Sequence, residues 1–333
     1  MKIAVVGEAW GEEEERTGKA FTGPSGRVLR GLLRQAGIDP ADCLLTNVFN
    51  QRPPRNDVES FCGPRATALP HWNELTRGKF VREEFFPELN RLFAELTKFQ
   101  PDCIIALGNT ALWALCKKNG IKKFRGTPML SWGGVWKVVA TWHPSAVQRQ
   151  WTLRPIALAD ISKAKRVAAI PELKRPRREV WIKPTLRDLE DFYDAHIAPA
   201  ASLSVDIETA HGQITEIGFA PNAHLALVVP FYSREQADGN YWRSHADEVL
   251  AWRWVKQVLH TKPCFGQNFL YDVDYLWRTV GIPVLKACDD TMLLHHALQP
   301  ELEKGLGFLA SVYTDEPSWK MMRQDNETLK KED

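Results

Sequence analysis

Two carboxylates, Asp206 and Glu208, close the apolar run LSVDIETA. On an extended strand the side chains at i and i+2 leave one face roughly 6 to 7 Å apart, so these two point together while Val205 and Ile207 face the other way. Anions held that close repel unless positive charge lies between them. The segment GQNFLYDVDYL adds Asn268 and Asp272, four residues apart and therefore on one face of an expected helix. A third carboxylate beside Asp206 and Glu208 completes an oxygen-rich site suited to Mg2+ or Mn2+. Two such ions about 4 Å apart activate a water and stabilise the leaving oxygen in phosphodiester hydrolysis. The D-x-E pair by itself also fits a strand that merely ends at the surface.

A second set of reactive residues lies in the first half. VVGEAWGEEEERTGKAFTGPSGRVLRGLL follows a strand with a glycine-bounded turn, then Phe21, then a helix opened by GPSG. A dinucleotide fingerprint would enter its helix directly from G-x-G-x-x-G, and the acidic insertion excludes it. Asn47 ends a strand in LLTNVFNQRPPRND, and His143 ends another in TWHPSAVQR. Strand ends of a doubly wound sheet converge on one crevice. Each residue also has a plain structural reading: HPS as a turn, Asn47 as a strand cap, Phe21 as core.

The elements that must hold these groups follow from periodicity. KIAVVGEA, CLLTNVF, DCIIALG and WKVVATW read as strands alternating with the helices SGRVLRGLLRQAG, FFPELNRLFAELTKF and NTALWALCKKNG, which predicts a mostly parallel sheet covered by helices. In the second half three strands, SLSVDIET, QITEIGFA and HLALVVPF, precede the helices ADEVLAWRWVKQVLH, FLYDVDYLWRTVG, DTMLLHHALQ and LGFLASVY. That order predicts a sheet begun by an antiparallel meander. The fold class is α/β throughout. Between the halves, SKAKRVAAIPELKRPRREV is mostly basic and carries two prolines. It divides the chain into a domain over residues 1–170, a basic linker over 171–179 and a domain over 180–333. The linker is either solvated or a strap that contacts phosphates.

Composition narrows the classes. The chain has 333 residues, 44% of them hydrophobic, enough for two cores. Its six cysteines (Cys43, Cys62, Cys103, Cys116, Cys264 and Cys288) form no C-x-x-C pair, which argues against a zinc module or disulfide framework and for a reducing compartment. No apolar run approaches about 18 residues and the N-terminus does not read as a signal peptide. The expectation is a soluble, cytoplasmic, monomeric protein of a bacterial or phage-infected cell, without a membrane partner. A net charge of +2 selects no partner.

VDIET, followed some sixty residues later by GQNFLYD and then by DDTMLLHHAL, resembles the proofreading 3'-5' exonuclease domain of family A DNA polymerases, an RNase H-like fold of the DnaQ type. The resemblance covers roughly residues 180 to 333. It implies Asp206, Glu208 and Asp272 as metal ligands and catalytic groups, Asn268 as a DNA contact, and Mg2+ or Mn2+ as cofactor. Asp290 falls at the aspartate before TM; its residue-level reading is the N-cap of the helix after it. The family's Y-x-x-x-D motif has no counterpart, since Tyr313 and Asp315 have the wrong spacing and Asp325 and Asp333 lack a tyrosine four residues earlier. The expectation is an N-terminal piece of a longer polymerase, with the polymerase domain downstream.

GEAWG, AFTG, TNVFNQRPP and HPS, in that order over residues 3 to about 150, resemble the uracil-DNA glycosylase superfamily, closest to its family 4 branch. The resemblance implies Phe21 stacked on a flipped base, Ala9 and Asn47 against it, His143 donating to uracil O2, and Glu8 orienting water. Asn47 would accept from uracil N3–H and donate to O4, whereas cytosine would leave buried polar groups unpaired. Pro144, Ser145 and the following AVQR, with Arg149, would press on the strand. Trp10 replaces the motif's proline. Gln51 stands where the family has a cluster cysteine and the N-terminal C-x-x-C is missing, so no iron–sulfur cluster is expected. The partners implied are uracil-containing DNA and single-stranded 3' ends. Two functions follow: an enzyme that joins a glycosylase-like domain to an exonuclease, or a non-catalytic module that senses uracil and guides single strands.

Overall fold

The computed structural model describes residues 1–68, 71–173 and 176–316. They form two compact units, Met1–Lys174 together with the segment from Gly307 onward, and Arg175–Leu306.

The first unit runs β1 (Ile3–Ala9), α1 (Glu12–Thr17), α2 (Pro24–Gln35), β2 (Leu44–Phe49), a small hairpin of β3 (Cys62–Gly63) and β4 (Phe80–Val81), α3 (Phe86–Phe99), β5 (Cys103–Leu107), α4 (Gly108–Cys116), α5 (Ile121–Phe124), β6 (Pro128–Leu130), β7 (Lys137–Thr141), α6 (Pro144–Arg149) and α7 (Leu153–Ala169). Among the described residues its main sheet has the order β2-β1-β5-β7-β6, parallel except for β6. Strands covered on both faces need apolar side chains at every position. Accordingly Ala4 and Val6 pack with Leu92, Trp113 and Phe49 on one side, and Ile3 and Val5 pack with Leu29, Leu33 and Ile161 on the other. The chain moves from β1 out to β2 and then crosses back to β5 on β1's other edge. That reversal opens a crevice at the strands' C-terminal ends.

The second unit runs β8 (Glu179–Trp181), α8 (Leu186–Phe192), β9 (Leu203–Ala210), β10 (Gln213–Asn222), β11 (Leu225–Pro230), α9 (His245–Thr261), β12 (Cys264–Gly266), α10 (Phe269–Val280), β13 (Ala287–Asp290) and α11 (Thr291–Leu298). Among the described residues its sheet has the order β13-β12-β9-β10-β11-β8. β9, β10 and β11 form the expected antiparallel meander, and β12 and β13 extend it in parallel. The sheet is therefore mixed. Leu203, Val205 and Ile207 of β9 point into a core with Ile217, Phe219, Val255 and Leu276.

Three features differ from the sequence reading. Asn268 is the N-cap of α10, not part of it; at φ 56° it is in the left-handed region, so it does not share a helix face with Asp272. Lys163, counted with the basic run, is buried in α7, a 17-residue helix that begins with a proline in its first turn and ends at Ala169. The units divide between residues 174 and 175, which lie outside the described residues, and α12 (Leu306–Tyr313) packs almost wholly with the first unit rather than the second. The reason is a set of buried polar contacts from Ser311 and Thr314 to Arg125 and Lys163. Asp325 and Asp333 lie outside the described residues.

Candidate active sites

The crevice of the first unit holds a pocket of about 650 Å3 lined by Glu8, Ala9, Trp10, Phe21, Asn47, His143, Ser145 and Arg149, among others. It gathers Glu8, Ala9, Phe21, Asn47, His143, Ser145 and Arg149 of the residues expected in this half of the chain, whereas Pro144 and Val147 are buried in α6 and are not free to press on a strand. Asn47 is 2% exposed and sits in β2 opposite Gly7 of β1. Its backbone carbonyl accepts from Arg91 at 2.8 Å, but among the described residues its side-chain amide has no hydrogen-bond partner. Phe21, 4% exposed, adopts φ 59°, unusual for a bulky residue and the kind of strain that clusters at functional positions.

His143 follows β7 and caps α6. Its Nδ1 accepts from the Ser145 N–H at 3.3 Å and lies 2.8 Å from the Ser145 hydroxyl. An Nδ1 that accepts leaves the proton of the neutral ring on Nε2. Burial, with a smaller contribution from Arg149, pushes the imidazolium pKa down to about 4. At neutral pH this is an uncharged donor. Glu8 moves the other way, with burial raising its carboxyl pKa against the hydrogen bond from Thr110 Oγ1 at 2.5 Å. Thr110 reaches Glu8 from α4, just after β5, across the point where strand order reverses.

Three residues received no role from the motifs, although Gly7 opens GEAWG. A β-carbon on Gly7 would lie 2.3 Å from Asn47 Oδ1 and 2.5 Å from Phe21 Cζ, so only glycine lets these side chains share that wall. Glu14, buried in the acidic run, accepts from Gly11 N–H at 3.1 Å and from Gly23 N–H at 2.8 Å, and so ties the turn after β1 to the turn before α2. Thr110 is the third. The four successive glutamates hide which one turns inward, and only a spacing rule for that loop would have found it.

In the second unit Asp206 and Glu208 stand on the exposed face of β9 and Val205 and Ile207 on the buried one, as the alternation requires. Asp272, 4% exposed, accepts from Ile207 N–H at 2.9 Å. Burial pushes its carboxyl up to about 6, with a smaller rise from the charge of Asp206. Among the described residues no group of three His, Cys, Asp or Glu side chains is close enough to hold a metal ion. Asp290 is the N-cap of α11 through Met292 N–H at 2.8 Å, and it also takes Asn268 N–H at 3.0 Å and Phe269 N–H at 2.8 Å, so one carboxylate holds the starts of two helices.

The family model "Uracil DNA glycosylase superfamily" matches residues 1–174. The chain belongs to the uracil DNA glycosylase superfamily. Among curated relatives, a type-4 uracil-DNA glycosylase of Thermotoga maritima is 39% identical over 168 residues, 49% of this chain and 76% of the relative. A DNA polymerase of Bacillus phage SP01 is 22% identical over 328 residues, 88% of this chain and 32% of the relative. The chain thus spans about a third of that polymerase's length. A solved structure of the EXD2 exonuclease domain soaked in Mg and dGMP is 16% identical, covers 40% of this chain and 68% of its own, and aligns with a TM-score of 0.27.

For a member of the superfamily's type-4-like branch, the cysteines are poorly placed. Cys103 and Cys116 are buried in the core on opposite faces of the sheet, while Cys43 and Cys62 are half-buried. Burial pushes the Cys62 thiol up to about 11, away from the thiolate a soft metal needs. Gln51 offers its backbone carbonyl to Trp10 N–H at 3.3 Å. Next to Cys62, Phe61 packs against Phe49 and Phe85 with ring centroids 5.1 and 4.3 Å away. This donor set does not fit an iron–sulfur cluster.

Proposed function

We propose that this chain processes DNA: its glycosylase-superfamily unit reads uracil in a single strand, and its second unit hydrolyses 3' ends with divalent cations. The observation that carries the first half is the convergence of Asn47, Phe21 and a neutral His143 on one pocket. Asn47 Oδ1 accepts from uracil N3–H and its amide nitrogen donates to O4; cytosine leaves both groups mispaired. Phe21 stacks on the base. When the glycosidic bond breaks, its electrons pass into the uracil ring, and the Nε2–H of His143 donates to O2 as that charge grows. A neutral donor keeps its proton through this step. Glu8, held by Thr110, orients the water that adds to the sugar carbon.

In the second unit Asp206, Glu208 and Asp272 are not gathered around one point, so Mg2+ or Mn2+, which oxygen donors of this kind suit, would have to draw the exposed Asp206 and Glu208 toward the buried Asp272. The bound ions would supply an activated water and neutralise the phosphodiester. The chain's own contribution is placement: Ile207 N–H fixes Asp272, and the strand alternation keeps Asp206 and Glu208 on one face. Asn268, Ser145 and Arg149 contact the strand. The likeness to a phage polymerase across both units supports a role in replication or repair as part of such an enzyme. A reading without catalysis, in which the pocket only senses uracil, keeps the same contacts with Asn47 and lacks turnover.

The test titrates labelled single strands carrying one uracil or one cytosine at matched salt. Asn47→Ala is expected to erase the preference for uracil, a loss of about 1 to 3 kcal/mol. His143→Ala is expected to abolish release of free uracil. Equal affinity of the wild type for both strands rejects the base-reading role. For the second unit, Mn2+-dependent shortening of a 5'-labelled oligonucleotide should vanish in Asp206→Ala.

A further inference from the structure

The rim of the pocket is uneven in charge. One part is the first turn of α1, made of Glu12, Glu13, Glu14 and Glu15, with Glu12 and Glu13 lining the opening. Another part is built where α2 packs on α6, with Pro24, Ser25, Ser145 and Arg149 at the mouth. Residues 24–35 and 144–159 contain no Asp or Glu and carry five arginines: Arg27, Arg30, Arg34, Arg149 and Arg154. Arg27, Arg34 and Arg149 are exposed, and among the described residues none of the three makes an ion pair. A surface that collects uncompensated arginines on neighbouring helices is an electrostatic footprint for phosphates.

Trp151 stands on the same surface. It is 64% exposed, so its ring serves no core. The guanidinium of Arg154 lies 4.8 Å from the ring centroid and donates to Gln35 Oε1 at 2.9 Å, which fixes the tryptophan between the end of α2 and the start of α7. α6 connects the pocket to it: His143 caps the helix at the pocket, and Trp151 lies two residues past Arg149 at the other end. Six helical residues span about 9 Å, or two to three nucleotide steps of a stacked strand. Exposed aromatics beside a basic groove stack bases without regard to sequence.

We infer that single-stranded DNA leaves the pocket across α2 and α6, its phosphates against Arg27, Arg34 and Arg149 and a flanking base stacked on Trp151, while the carboxylates of α1 repel it from the other course. This rests on the reading that the pocket takes a base. The track sets affinity for any strand, and Asn47 sets the preference among bases.

The experiment uses the full chain and single strands that carry one uracil, or cytosine in its place, with 5-iodo-deoxycytidine one to four nucleotides to either side as a photo-crosslinker. The cross-linked peptide is expected to contain Trp151 for probes on one flank only. Trp151→Ala should remove that cross-link and weaken uracil and cytosine strands by the same factor, roughly tenfold, with their ratio unchanged; Trp151→Phe should restore both. Arg27→Gln with Arg34→Gln should flatten the salt dependence of binding. Cross-links that map to α1, no cross-link to Trp151, or an unchanged affinity in Trp151→Ala would overturn the track. A wild type that binds both strands equally but still cross-links to Trp151 would reject the base-reading pocket and leave the track standing.

Discussion

A methyl group at position 7 is the smallest change that separates pocket shape from pocket chemistry. In Gly7→Ala the new carbon meets Asn47 Oδ1 at 2.3 Å and Phe21 at 2.5 Å, and both are buried, so neither has room to withdraw. Overpacking of this kind costs about 1 to 3 kcal/mol. The expected result is a folded protein, lower in melting temperature, that no longer prefers uracil strands in a binding titration. His143 adds a pH signature. Its folded pKa of about 4 lies below the unfolded value near 6.5, so between these pH values the unfolded chain takes up the proton more readily. The stability linked to this imidazole is therefore complete above pH 6.5 and is lost as pH falls toward 4. Urea unfolding at steps from pH 7.5 to 4.5 should show a gentler decline in His143→Gln than in the wild type. Because the ring stays neutral down to about pH 4, uracil preference should be flat between pH 5.5 and 8; a break near 6.5 would contradict the neutral donor.

At the scale of elements, Asp290 links two helix starts through three backbone N–H groups. A single N-cap contributes about 1 kcal/mol and Asp290 holds two helix starts, so Asp290→Ala should lose about 2 kcal/mol. Hydrogen exchange should quicken in the first turns of both α10 and α11; protection unchanged in α10 would show that the second cap is idle. The residue's cap on α11 was legible from its place before TMLLHHAL. Its hold on α10 was not, because it needs β12 and β13 side by side. The same limit runs through the whole reading. Long elements declared themselves: β1 by an unbroken apolar run, β9 by buried positions at a period of two, and α3 and α10 by buried positions at a period near 3.6. Two- to four-residue strands such as β3, β6, β8 and β12 are too short to show a period and owe their form to partners distant in sequence. Asn268 looked helical by its spacing from Asp272, yet Asp290 draws in its N–H and leaves it as a left-handed cap. In the candidate site, motif order located Asn47, Phe21 and His143, while Glu14 and Thr110 act through contacts 9 and 102 residues away in sequence.

At the scale of the molecule, the second unit is inserted in sequence between two parts of the first. The family match ends at residue 174, but the contacts of the first unit do not. Arg125, 3% exposed, pairs through two nitrogens with Asp160, 1% exposed, and gives its remaining terminal nitrogen to Ser311 Oγ at 2.7 Å. Thr141 adds a donor to Asp160 at 2.8 Å. Lys163, buried beside them, donates to Gly126 O at 2.8 Å and to Ser311 O at 2.7 Å, and also to Thr314 O, which satisfies carbonyls at the end of α12. Burial pushes Lys163 down to about 8. Gly126, at φ 68°, sits so close that a β-carbon would lie 2.6 Å from Asp160 Oδ1 and 2.7 Å from Ser311 O. A buried charge that loses its partner costs far more than a pair removed together. Arg125→Met should therefore destabilise the first unit by about 3 to 5 kcal/mol and expose residues 307–316 to protease, whereas Arg125→Met with Asp160→Leu should recover much of that loss. Lys163→Met leaves the Arg125–Asp160 pair intact and strips α12 of its carbonyl donors, so protease should cut residues 307–316 faster while the rest of the unit keeps most of its protection. If neither Arg125→Met nor Lys163→Met changes cleavage there, α12 is not held by these groups. If both do, the glycosylase-superfamily unit is completed only after the chain has passed through the second unit, and a fragment ending at residue 174 should melt below the same unit in the full chain.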